Sequence, residues 1–73
     1  MTREQQAARA QRLQEALGED YTVKFDDCES CMTRFLYKGV FYKEIENSEI
    51  ENPSLNVTDY KAPMQMVIAL RYQ

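Results

Sequence analysis

Lys38-Gly39 separates two runs rich in strand formers, Met32 to Tyr37 and Val40 to Ile45. Two strands joined by so short a loop must run antiparallel, and the loop needs a positive φ that Gly39 can supply. The middle of the chain is therefore expected to be a β-hairpin, and the rest must pack on it. With a two-residue loop, Tyr37 faces Val40, Phe35 faces Tyr42 and Thr33 faces Glu44 on one side. On the other, Leu36 meets Phe41, Arg34 meets Lys43 and Met32 meets Ile45. Both faces are substantially apolar, whereas a solvated sheet face reads polar.

One clear helix is available to cover them. Thr2 suits an N-cap, with Gln5 as its reciprocal partner. Arg3 to Leu17 consists largely of strong helix formers. Ala10, Leu13 and Leu17, with Ala16 beside them, form a narrow apolar stripe at helical spacing. Gly18 suits the stop. Tyr21, Val23 and Phe25 then alternate with Thr22 and Lys24, the pattern of a half-buried strand. Asp26 to Cys31 reads as a polar loop.

Beyond the hairpin, Asn52-Pro53 breaks the pattern, Ser54 to Thr58 fits a short strand, and Asp59 to Pro63 fits a turn. Met64, Met66, Ile68, Leu70 and Tyr72 alternate, and Val, Ile and Tyr favour strands. A strand is preferred for residues 64–72 over a helix opened by Ala62-Pro63. The expected fold is α+β: one small domain, residues 1–73, with an N-terminal helix packed on an antiparallel sheet of four to five strands.

Glu44-Ile45-Glu46-Asn47 recurs as Glu49-Ile50-Glu51-Asn52 with Ser48 between. A turn at Asn47-Ser48 would pair Glu46 with Glu49, Ile45 with Ile50 and Glu44 with Glu51. Both isoleucines would then share one face and all four glutamates the other. Like charges facing each other repel, so the acidic face needs water and salt, a cation or a basic partner. As a calcium or magnesium site it lacks the alternating Asp/Asn/Gly spacing of an EF-hand.

Composition narrows the function classes. A chain of 73 residues buries only about 60–65% of its unfolded surface, so a second subunit or partner would help. The net charge is -3, which disfavours direct nucleic-acid binding. Three arginines against two glutamates put residues 1–17 at +1, leaving -4 for the rest. No apolar run is long enough for a membrane span, and the polar N-terminus lacks a signal-peptide core. A cytoplasmic location is the default expectation.

Catalysis is not expected. The chain has no histidine and only two glycines, so the usual general base and a glycine-rich phosphate loop are both missing. Cys28 and Cys31 are the only cysteines, too few ligands for a structural zinc site within one chain. They also lack the helix start that a thioredoxin-type pair needs. They read as free thiols in a polar loop, with no metal and no cofactor; a metal- or redox-linked regulator is the remote alternative.

The best functional reading is a non-enzymatic interaction protein that occludes a basic, nucleic-acid-handling site on a partner protein. Glu44, Glu46, Glu49 and Glu51 would supply the acidic contacts, and Phe35, Tyr37 and Tyr42 the aromatic ones. In small size, acidity and missing catalytic residues the chain resembles phage-encoded inhibitors of host enzymes and defence complexes. That likeness is one of composition and implies inhibition by occlusion. The alternative is a structural or assembly subunit acting by self-association through its sheet, for which a homodimer is expected.

Overall fold

The computed structural model describes residues 2–26, 28, 30–51 and 56–72. Helix α1, Arg3–Leu17, opens on the expected capping box: the Thr2 hydroxyl accepts from the Gln5 backbone N–H, and the Gln5 side chain accepts from that of Thr2. Gly18 ends it at φ 105°, a conformation open to glycine. Gln6, Ala10, Leu13 and Leu17 form the buried face. Ala16 falls outside that face and is exposed.

Three antiparallel strands follow in sequence order: β1 (Tyr21–Lys24), β2 (Met32–Tyr37) and β3 (Val40–Glu46). Lys38 and Gly39 both take positive φ, 48° and 81°, which makes the hairpin loop a type I′ turn. Tyr37 pairs with Val40 and Leu36 with Phe41, as the two-residue loop requires.

Past that point the register shifts. A bulge between Phe35 and Leu36 sets Phe35 against Lys43, Arg34 against Glu44, Thr33 against Ile45 and Met32 against Glu46. The extra residue on β3 turns Tyr42 and Lys43 to the same side of the sheet. There the Tyr42 hydroxyl donates to the Tyr60 carbonyl, and the Lys43 ammonium lies 4.8 Å above the Tyr60 ring. The bulge exchanges an Arg34–Lys43 repulsion for an Arg34–Glu44 attraction. It also moves Ile45 from the outer face into the core.

The glutamate repeat is not a hairpin. Asn47–Glu51 is a 3-10 turn that directly continues β3. Ile45 and Ile50 do share the core, but by way of this turn rather than strand pairing. The turn is tied to α1, because the Arg9 guanidinium donates to the Ile50 carbonyl at 3.0 Å.

The sheet has three strands, not four or five, among the described residues. Val57–Tyr60 is a second 3-10 turn capped by Asn56; Ser54 and Leu55, the start of the expected fourth strand, lie outside the described residues. Met64–Arg71 is a helix, α2, with Pro63 at its N-cap and its first helical bond from the Val67 N–H to the Pro63 carbonyl. Six of its eight residues (Met64, Gln65, Met66, Ala69, Leu70, Arg71) are strong helix formers. The apparent alternation carried little information, since Val67 and Ala69 between the marked positions are apolar too.

The core lies between α1, the two 3-10 turns and one face of the sheet. Leu13, Leu17, Phe35, Ile45 and Ile50 form its centre, with Tyr21, Val23, Phe25, Tyr42, Val57 and Tyr60 around them. Gln14 joins α1 to β1: its amide donates to the Tyr21 carbonyl and accepts from the Val23 N–H. It thus occupies backbone groups on the edge of β1 that β2 does not use, a way of blunting a strand edge.

The tyrosines give a pH expectation. Burial pushes the Tyr42 phenol well up, with Tyr21 adding to it. Tyr60 is raised by burial first, then by the Glu49 and Asp59 carboxylates. Both folded values lie above the ordinary phenol value of 10.0. Their contribution to stability is therefore fully present below that value and is lost as pH rises toward the folded values. Urea denaturation between about pH 8 and 11.5 should show stability falling above pH 10. Tyr42→Phe should flatten part of that fall and cost about 1 kcal/mol at neutral pH for the lost hydrogen bond. A profile unchanged by the substitution would mean that this phenol is not held in the core.

Candidate interaction surface

With α1 on one face of the sheet, the other face carries cross-strand rungs that the register defines. Thr22, Leu36 and Phe41 form one rung, and Lys24, Arg34 and Glu44 the next. Met32 and Glu46 follow at the far end. Phe41, at the end of its rung on the edge strand β3, is 52% exposed. Lys24, Arg34, Leu36, Phe41 and Glu44 line a shallow groove of about 450 Å³ across the strands.

The packing of α1 decides which aromatics this surface receives, because the helix covers the face that carries Phe35 and Tyr42. Phe35 is fully buried, its ring stacked on Tyr60 at 5.3 Å. Tyr37 is buried beside the Tyr21 ring, 4.9 Å away. Tyr42 is half-buried on the core side, where its hydroxyl is engaged by Tyr60. Phe35 and Tyr37 cannot meet a partner without opening the core, and the expected aromatic contacts are corrected accordingly. Phe41 is the residue that sequence reasoning passed over. Its alternation with Tyr42 was visible, but either phase left an aromatic outside.

The four glutamates do not share one face. Glu44 and Glu46 alternate onto the outer face of β3 and are exposed. Glu49 is exposed on the 3-10 turn, and its charge is felt at the Tyr60 phenol on the core side. The side chain of Glu51 lies outside the described part of the chain. Spreading the carboxylates over strand and turn relieves the repulsion that a hairpin would have imposed, and Arg34 stands across from one of them.

The cysteines are also placed differently from the expectation of free thiols. Cys28 and Cys31 form a disulfide with Cα atoms 5.2 Å apart, within the span the bond needs. A tight loop brings them together, with the Cys31 N–H on the Cys28 carbonyl at 3.3 Å. Asn47 anchors this loop: its amide donates to the carbonyls of Asp26 and Cys28, and its oxygen accepts from the buried Thr33 hydroxyl at 2.7 Å. In the disulfide the sulfurs offer no thiolate to a metal. Among the described residues no group of three or more His, Cys, Asp or Glu side chains is placed to hold an ion, and no helix is long and apolar enough to cross a membrane.

No protein-family model, curated protein or solved structure matches this chain. The functional argument therefore rests on the surface itself: an exposed aromatic in an open groove, with charges of both signs at its rim.

Proposed function

We propose that this chain is a non-enzymatic interaction protein that binds a partner protein through the outer face of its sheet and occludes a basic site there, in the manner of a small inhibitor acting in the cytoplasm. The exposed Phe41, beside Leu36 and followed along β3 by Glu44 and Glu46, supports this reading best. An aromatic anchor with a charged rim is the usual anatomy of a binding hot spot. The carboxylates suit Arg or Lys on a partner, and basic sites that handle nucleic acid offer both. Among the described residues, the outer edge of β3 has no strand beside it, so backbone pairing is open to a partner as well.

Glu44→Gln together with Glu46→Gln tests the charge component. Both positions are exposed, so folding stability should change by no more than about 0.5 kcal/mol. Affinity for a partner captured from the host should fall at least roughly tenfold and lose part of its salt dependence. Unchanged affinity in isothermal titration would reduce these carboxylates to a solvated edge.

A second reading is favoured by the mixture of charges. Lys24 and Arg34 lie on the same face as Glu44 and Glu46, which makes the face electrostatically self-complementary. Self-association through the sheet, giving a homodimer or larger assembly, follows from that arrangement.

A further inference from the structure

The Cys28–Cys31 disulfide is poorly placed for a staple. Two residues separate the cysteines, and a bond across so short a loop constrains the unfolded chain less than one across a longer loop. Neither cysteine belongs to the core cluster, and both are partly exposed. The loop is also held by other means. Asn47 donates to the Asp26 and Cys28 carbonyls, and the Cys28 N–H donates to the Asp26 carbonyl. β2 starts directly after Cys31 and fixes that end. These contacts keep the two sulfurs near each other without needing the bond between them.

A cleft of about 290 Å³ opens beside the bond. Cys31 lines it, together with Ser30, Met32, Glu46, Asn47 and Ser48, whereas Cys28 does not. An exposed disulfide with room for an incoming thiol is of the labile kind. A cytoplasmic setting keeps most thiols reduced, and the disulfides that form there are mainly transient. We infer that Cys28–Cys31 is a reversible thiol–disulfide exchange site, entered through the cleft at the Cys31 sulfur and reduced by a dithiol. Among the described residues no helix begins at either cysteine, the feature that activates such a pair in oxidoreductases. The pair therefore accepts electrons and does not catalyse their transfer elsewhere.

The exchange runs in two steps. A thiolate of the dithiol attacks the Cys31 Sγ, the Cys28–Cys31 bond breaks, and its electron pair leaves on the Cys28 Sγ, which takes up a proton. Cys31 is then joined to the reductant in a mixed disulfide. The second thiolate of the reductant attacks the reductant's own first sulfur. That closes the reductant's disulfide and releases the Cys31 thiolate, which takes up the second proton. Two electrons pass to the protein, and the dithiol is oxidised. The reverse steps with a disulfide oxidant restore the bond, because Asn47 still holds the loop closed.

Dithiothreitol is the probe. The oxidised full chain should gain two free thiols under non-denaturing conditions, counted by alkylation and mass, with its circular dichroism spectrum kept. Glutathione disulfide should then restore the bond within one chain. Urea below the unfolding transition should change the reduction rate less than about twofold, because an exposed loop opens without global unfolding. Cys28→Ser and Cys31→Ser each leave one thiol, whose reaction with dithiodipyridine reports its access. The Cys31 thiol should react about tenfold faster than the Cys28 thiol. Cys28→Ala and Cys31→Ala replace any variant that circular dichroism shows to be unfolded. A bond that opens only as the chain unfolds is a staple and overturns the inference. Two free thiols that glutathione disulfide leaves unjoined overturn it as well. Equal rates, or a faster reaction at Cys28, overturn the cleft as the way in and with it the site as assigned.

Discussion

Phe35→Ala is expected to cost about 4 kcal/mol of folding stability, the upper part of the range for a buried aromatic truncated in a packed core. A chain of this length has roughly 4–11 kcal/mol to lose, so the variant should forfeit at least about a third of its stability. Phe35 has no exposed surface and stacks on Tyr60. It also packs in one cluster with Leu13, Leu17, Ile45 and Ile50. Removing the ring therefore opens a cavity where α1, the sheet and the first 3-10 turn meet. Neighbours from three separate segments cannot close it without shifting backbone. Phe41→Ala, one strand away, should cost under about 1 kcal/mol, because half of that ring already faces water. Urea midpoints for the two variants compare the faces of the sheet directly. Equal losses would mean that the sheet buries a different set of side chains.

That comparison also shows where sequence reasoning held and where it failed. Features governed by neighbouring residues were legible. Thr2 and Gln5 declared the start of α1, Lys38-Gly39 the tight hairpin loop, and Tyr21 to Lys24 the first strand. Features set by distant contacts were not. The bulge at Tyr42-Lys43 leaves no mark in the alternation. It arises because it lets Ile45 join the core and brings Glu44 across from Arg34. Gln14 looked like an ordinary helix residue, and only the fold brings it beside the backbone of β1. The repeat around Ser48 read as a hairpin because turn residues and mirrored glutamates fit one. Packing of Ile50 and the Arg9 bond to its carbonyl favour a 3-10 turn instead. For α2 the pattern itself was at fault: a run with so few polar residues has no face to mark its period.

The candidate surface followed the same division. Glu44 and Glu46 were identified and are exposed, since any strand alternation puts them on one side. Phe35, Tyr37 and Tyr42 were expected at a partner surface but lie on the core side, because both faces of the hairpin are substantially apolar. Only the position of α1 decides which of them is covered.

Asn47 carries the second large expectation. It is buried, and it holds the carbonyls of Asp26 and Cys28 at 3.0 and 3.3 Å while accepting from the Thr33 hydroxyl. Asn47→Ala should lose about 3 kcal/mol, since a buried hydroxyl and two carbonyls lose partners at once and each costs about 1–3 kcal/mol when left unmet. Part of that is returned by water reaching the half-buried loop. Asn47→Asp separates hydrogen bonding from mere volume. The introduced carboxylate can still accept from Thr33, but it faces two carbonyl oxygens with nothing to donate. It should be less stable than Asn47→Ala at pH 7, although it fills the space better. Repulsion raises the folded pKa of that carboxyl above its unfolded value, so the extra penalty is present at neutral pH and is relieved as pH falls through the folded value. The gap between the two variants should therefore narrow between about pH 7 and 4, and it is read as a difference so that acid effects common to both cancel. A gap that stays constant with pH would mean that Asn47 does not aim its amide at the disulfide loop. Anchorage of that loop to the end of β3 would then have to come from packing alone.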